Sequence, residues 1–380
     1  MSLVTVTVDP DDGGADYADL DTAESTEQTN LDSANDYMEI ECTAISGGDD
    51  DGLVTFDGWT TSATDYIEII TPQASRHEGS WDDGLYTIKN SSGGCIKSAE
   101  PWVHITGLQI QVTGSGNFSP AVYFSETGSS TTCYLDSCII KGSGTFSYDY
   151  SCAAYVDSGS GAISTMVCRN NIIYDFVQNS GEFICGLQAG DGTNTSHMYL
   201  YNNTIQNCDY GVAIFDNTNL YWRNNIAVDC ANTVYYSTGT IGSASGYNIT
   251  DSNDPASLLA HGSTRKTGTT TGASTNKLID SGGGLSAIPI GAFVKDSGTN
   301  YAAVTAIDSD QQLSIDTDIF SDTEAYTIYS NMEGEPTFEN KGSDIFLLGS
   351  TDTLAMENGE DLSAVTHGFS NDILGVTRPK

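Results

Sequence analysis

The phrase MYLYNNTIQNC (Met198 to Cys208) returns 22 residues later as LYWRNNIAVDC (Leu220 to Cys230). A third copy, MVCRNNIIYDF, begins at Met166. Looser copies flank the three: VHITGLQI from Val103, CYLDSCII from Cys133 and GSASGYNI from Gly242. Aligned on the third residue after the first Asn slot, they give a column of Ile110, Ile140, Ile173, Ile205, Ala227 and Ile249, spaced 30, 33, 32, 22 and 22. Residues before the Asn pair alternate apolar and polar and are rich in Ile, Val, Tyr and Thr, which is strand chemistry. One such phrase per period, at this length, is the signature of a solenoid. The excess over 22 falls in Gly- and Ser-rich stretches such as GSGNFSPAVYFSETGSSTT, which read as loops.

In a solenoid of this kind each coil lays its strands about 4.8 Å above the coil below, so equivalent residues stack. The first-Asn column reads Gly107, Ser137, Asn170, Asn202, Asn224, Gly246. A buried amide can donate to the carbonyl of the Asn on the next coil, so this column is expected to form a self-satisfying ladder, with Asn202 and Asn224 in hydrogen-bond reach. Gly at both ends suits a tight left-handed turn, a conformation Asn also tolerates.

These phrases resemble the pectate-lyase-like superfamily of right-handed parallel β-helix proteins, over roughly residues 36–260. Two later segments, EPTFENKGSDIFLL and NDILGVTRP, resemble the closing part of many bacterial and phage β-helix proteins. The stretch from Asn276 to Tyr329 looks like a small all-β module of phage and prophage structural proteins. The expected fold is therefore all-β: a right-handed parallel β-helix solenoid with an N-terminal cap and a small inserted β domain. Residues 1–35 are read as the cap, with a short polar helix around Tyr17 to Ser25. Residues 36–265 are the β-helix, 266–331 the inserted β domain, and 332–380 a C-terminal segment packing back on the β-helix. The cap is shorter than the anchoring domain of many phage tailspikes, so a fibre, a head decoration or a tip protein fits the resemblance better.

Charge bounds the partners. With 13 Lys and Arg against 51 Asp and Glu, the chain carries −38 and is a poor match for nucleic acid or anionic membranes. Such a surface stays soluble where salt screens self-repulsion, which points to a marine or halophilic source. The opening MSLVTVTVDPDDGG has neither the basic nor the apolar region of a secretory signal, and no run approaches 18 apolar residues, so no signal peptide, no transmembrane segment and no membrane insertion are expected. A virion component, assembled in the host cytoplasm and freed by lysis, needs no signal. The nine cysteines show no metal-ligand spacing. Cys208 and Cys230 should stack as buried thiols, the reduced state that cytoplasmic assembly implies.

The chemistry-bearing residues are sparse. The resemblance implies a Lys or Arg base, often with Ca²⁺ held by carboxylates, for a lyase, and clustered carboxylates for a hydrolase. One outward column reads Thr106, Asp136, Arg169, Tyr201, Arg223, Ser245. Arg169 and Arg223 are the candidate catalytic residues, and Asp136, Arg169, Tyr201 and Arg223 form a candidate stripe for an anionic sugar, by bidentate pairing and stacking. The competing reading pairs Arg169 with Asp136 and lays both arginines over the sheet. Asp49, Asp50, Asp51, Asp82 and Asp83 are the candidate Ca²⁺ ligands, against solvated turns, and otherwise no cofactor is expected. The five histidines read as surface or turn residues.

The leading expectation is a virion surface protein of a tailed virus: a fibre, spike or head or tail decoration that presents its β-helix for host-surface or glycan attachment. Its partners would be other virion proteins and a host glycan or receptor. A homo-oligomer is expected, a trimer being one open form. The alternatives are a β-helix polysaccharide lyase or other carbohydrate-active enzyme, and a cellular adhesin-like surface protein. Because self-repulsion is screened by salt, the melting temperature is expected to climb from low to molar NaCl in a thermal melt. A flat response would count against salt adaptation, and an equal rise with Ca²⁺ alone would indicate specific ion sites.

Overall fold

The computed structural model describes residues 2–367 except 46, 114–119, 127–129, 148–150, 159–162, 179–182, 191–194, 243–244, 252–262, 341–344, 353, 356–357, 361 and 363–366. His261 and the NDILGVTRP segment lie outside the described residues. With 5% of the chain helical and 50% in strands, the fold is nearly all-β.

Among the described residues, sheet I has nine strands, sheet II has seven, and sheet III runs on from a long parallel stack into an antiparallel end. The chain visits sheets I, III and II in turn: Asp36–Cys42, Asp49–Asp51, Val54–Phe56, then Ile67–Ile70 back in sheet I. Each strand pairs in parallel with the one a circuit later. The arrangement is that of a β-helix-like solenoid, and successive circuits bury one continuous apolar core.

The column of isoleucines stacks in register from Ile88 through Ile110, Ile140, Ile173 and Ile205 to Ala227, all fully buried. Each such side chain contributes about 1.5–3 kcal/mol by leaving water. The last alignment is corrected by one residue: Ala227 faces Thr250, and Ile249 faces Ile226.

The cause lies in the asparagines. The ladder forms in the second-Asn column, through Asn171, Asn203, Asn225, Asn248 and Asn331. Successive side chains donate Nδ2 to Oδ1 at 2.9, 2.9, 3.1 and 3.1 Å. The same Oδ1 atoms accept the backbone N–H of the preceding Asn at 2.9–3.1 Å. Each Nδ2 also reaches the carbonyl of Leu135, Cys168, Leu200 or Trp222. Asn203, Asn225 and Asn248 thus have two donors and two accepting lone pairs filled out of water. Asn225 and Asn248 are 23 residues apart, so the final circuit takes one extra residue to bring Asn248 into the ladder.

The first-Asn column does another job. Gly107, Ser137, Asn170, Asn202 and Asn224 all adopt left-handed backbone, with φ of 75, 55, 56, 56 and 55°, and Tyr247 (φ 60°), not Gly246, completes the set. In this column the expected amide ladder is reduced to a long 3.4 Å contact from Asn202 to Asn170, while Asn224 pairs instead with Glu360. A left-handed turn directs its own side chain away from the core and the next one into it, which is why the second Asn inherits the ladder.

Residues 1–35 contribute a strand as well as helices: Ser2–Val8 pairs in parallel with Asp36–Cys42. Helix α1 (Leu20–Glu27) and the single turn α2 (Leu31–Ala34) pack Leu20, Ala23 and Leu31 onto the core. Helix α1 is capped by Asp19, which accepts from Thr22 N at 2.7 Å. At the other end the chain leaves the parallel stack of sheet III after Ile249–Thr250 and rejoins it in Ala325–Glu333. Met332 and Glu333 of that strand pair in parallel with Ile249 and Thr250. In between, antiparallel strands bury a separate cluster that includes Leu278, Val294, Leu313 and Ile328. Asn331 continues the ladder 83 residues after Asn248.

Replacing Asn203 by Leu is expected to lower stability by about 3 kcal/mol or more, since it strands several buried groups at about 1–3 kcal/mol each. Asn202→Gly keeps the left-handed turn and should shift the denaturant midpoint far less. Equal effects in urea titrations would refute the division of labour between the two columns.

Candidate functional site

The outer face of sheet I carries the column singled out from the sequence. Asp136 pairs with Arg169, Arg169 with Tyr201 and Tyr201 with Arg223 on successive strands, and Arg223 bridges to Gly246 rather than Ser245. The four residues stand together, with the charges already met. Arg169 Nη2 lies 2.5 Å from Asp136 Oδ2, and its guanidinium sits 5.1 Å from the Tyr134 ring centroid. Arg223 Nη1 lies 2.5 Å from Glu360 Oε2. Tyr201 is buried, which pushes its hydroxyl up to about 12 although Arg223 acts in the opposite direction. The alternation of the repeat placed these side chains outward. The carboxylate of Glu360, 137 residues from Arg223 in sequence, could not be read from it.

A row of rings runs beside this column. Tyr37 stacks on Tyr66 at 5.4 Å and Tyr66 on His104 at 4.4 Å, and His104 meets Tyr134 edge-on at 4.5 Å. Tyr199 and Tyr221 stack at 4.4 Å with planes 5° apart. Between the two groups Val167 leaves a gap in the ring column. His367 stands over it, 5.8 Å from Tyr134 and 4.8 Å from Tyr199, with Nδ1 2.9 Å from the Tyr134 hydroxyl. The sequence held the signal for most of the row. His104, Tyr134, Val167, Tyr199 and Tyr221 each stand three residues before the left-handed position of their phrase. His104 and His367 therefore belong to an aromatic face. His77 is buried, with Nε2 2.9 Å from the Ser137 carbonyl oxygen, rather than lying on the surface.

Carboxylates line the same face. Glu68 accepts from Thr106 Oγ1 at 3.2 Å, and burial raises its pKa, with Arg76 pulling it back. Glu39, its partner on the adjacent strand, is raised by burial and by the neighbouring Glu41.

Four of the five residues read as Ca²⁺ ligands have protein partners. Asp50 points into the core in the slot that Ile88 fills one coil on. There it accepts the N–H of Leu20 at 2.8 Å and the hydroxyl of Tyr86 at 2.7 Å, anchoring the start of α1. Asp49 pairs with Lys89 at 2.8 Å. Asp51 lies opposite Lys89 in the strand register and is exposed. Asp83 accepts from Trp81 Nε1 at 2.9 Å, and Asp82 closes its own turn on Gly84 N at 2.8 Å. Among the described residues, no three His, Cys, Asp or Glu side chains converge to hold a metal ion, and no helix is long and apolar enough to cross a membrane. All nine cysteines are buried free thiols. No protein family, curated protein or solved structure matches the chain.

Burial holds His77 and His104 down to about 4, and Nε2 of His104 is buried without a hydrogen-bond partner. Unfolded, each would titrate near 6.5. The unfolded chain then binds more protons, so their contribution is complete above about pH 6.5 and is lost as pH falls toward 4. Glu68, raised by burial, acts in the opposite sense, so a variant isolates the histidine. His104→Phe keeps the ring row and should retain on the order of 1–3 kcal/mol more stability than wild type near pH 4, relative to pH 7. Parallel stability–pH curves for the two proteins would refute the assignment.

Proposed function

We propose that the protein is an attachment protein: a right-handed parallel β-helix, with residues 266–331 inserted before its last coil, that binds a host-surface glycan. In this reading it sits on the particle of a tailed virus from a marine or halophilic host, as a fibre, spike or head or tail decoration among other virion proteins. The observation that carries the reading is the ring row on sheet I. From the coil of Tyr37 to that of Tyr221 it spans six inter-strand steps, roughly 29 Å at the usual spacing. Flat, half-buried rings offer a large apolar contact at little cost in conformational entropy, with hydroxyls at their edges for sugar hydroxyls. Arg169 and Arg223 are held by Asp136 and Glu360, which favours binding over proton abstraction, since a lyase needs an available base.

The test is a panel of host-surface and algal glycans, read for both retention and cleavage. Wild type should bind without releasing product, and the double variant Tyr199→Ala, Tyr221→Ala should lose about 2 kcal/mol, some thirtyfold in Kd. Turnover by wild type, or undiminished retention by the folded double variant, would overturn the proposal. Antibody labelling of purified particles tests the virion location directly.

A further inference from the structure

Beyond the ring row, one arginine lines a cleft. Lys89, Arg169, Arg223 and Lys277 each meet a carboxylate within 4 Å. Arg265 meets none among the described residues, in a chain of net charge −38. It lines an open cleft of about 540 Å³ with Tyr247, Thr264, Lys266, Gly284 and Ile288. Its guanidinium lies 5.0 Å from the Tyr247 ring centroid, and its Nη2 donates a long hydrogen bond, 3.4 Å, to the Asn358 carbonyl oxygen. Its Nε is buried with no hydrogen-bond partner. Lys266 lines the same cleft, 3.6 Å from Asp280 and beside the bare backbone of Gly284. A buried guanidinium donor without an acceptor is costly, and the planar fork matches an oxyanion.

We propose that this cleft binds the oxyanion of an acidic sugar, a carboxylate or sulfate, with Arg265 as the fork, Lys266 as a second charge and Tyr247 and Ile288 as the apolar wall. The cleft adjoins the final coil, since Tyr247 follows Gly246, which bridges to Arg223. It is lined by the sheet III strand Thr264–Thr269 and by Tyr247, next to the residue that bridges to the outward column of sheet I. Repulsion from the rest of the chain is screened within about 8 Å at physiological salt, while a partly buried pair is screened much less. The oxyanion assignment stands on the cleft alone, and the sugar rests on the glycan-attachment reading.

Isothermal titration of the full chain in low-chloride buffer, with inorganic sulfate, glucuronate and glucose as probes, tests both parts. Sulfate and glucuronate should bind saturably at one site, and glucose should not compete. Arg265→Gln should weaken both anions by about tenfold or more, the loss expected for a charge-assisted hydrogen bond. Ala287→Glu, at an exposed position of the lining, should abolish binding by bringing a competing carboxylate. Lys97→Gln, on sheet II away from the cleft, should change nothing. Absence of anion binding, or full binding by both folded cleft variants, overturns the site, and sulfate binding without glucuronate binding overturns its assignment to an acidic sugar. Anion binding that persists while no glycan is retained on the ring row would sink the attachment reading and leave the site standing.

Discussion

A column of buried amides holds this molecule in register. Each internal Asn of the ladder fills its hydrogen bonds only if the coils above and below present an Asn, or a backbone N–H, at the same height. Apolar stacking is tolerant of sliding, because one isoleucine packs on another over a range of offsets. Hydrogen bonds are not, and an unmet amide in the core costs about 1–3 kcal/mol. The ladder therefore sets the length of each circuit. The extra residue before Asn248 and the return of Asn331 after a long excursion both follow from that requirement.

The ladder also orders the surface. Once coils are fixed in height, outward side chains at equivalent positions come into contact about 4.8 Å apart. Rings in that arrangement stack, as Tyr199 and Tyr221 do, and opposite charges pair, as Asp136 and Arg169 do. A face of this kind is rigid before any ligand arrives, so little ordering entropy remains to be lost on binding. The same stacking fixes Arg169 on Asp136, and Arg223 is held on Glu360.

The C-terminal segment makes the face more than a repeat. Glu360 places its backbone against the Asn224 amide at 2.8 and 2.9 Å and its carboxylate against Arg223. His367 fills the break that Val167 leaves between Tyr134 and Tyr199. Phe338 and Leu348 pack against Ile226, Val228 and Ile249 on the outside of sheet III. The segment also sets the Asn358 carbonyl oxygen against Arg265.

The sequence by itself determined the stacking unit, its period and the outward neighbours, because those follow from short-range alternation and from the recurrence of one phrase. It told which residues share a column, from Ile110 to Ala227 and from Asp136 to Arg223. It could not tell which Asn of each pair turns inward, since both carry the same amide and only the left-handed backbone of the first decides it. Nor could it show that Ser2–Val8 extends sheet I or that Asp50 faces the core, because both depend on contacts with residues about 30 positions away. The ion pair of Arg223 and the carbonyl contact of Arg265 were decided last, by where a segment more than 90 residues downstream comes to rest. Local pattern fixes which side chains point outward, but whether a charge is met depends on which distant chain the closed fold lays over it.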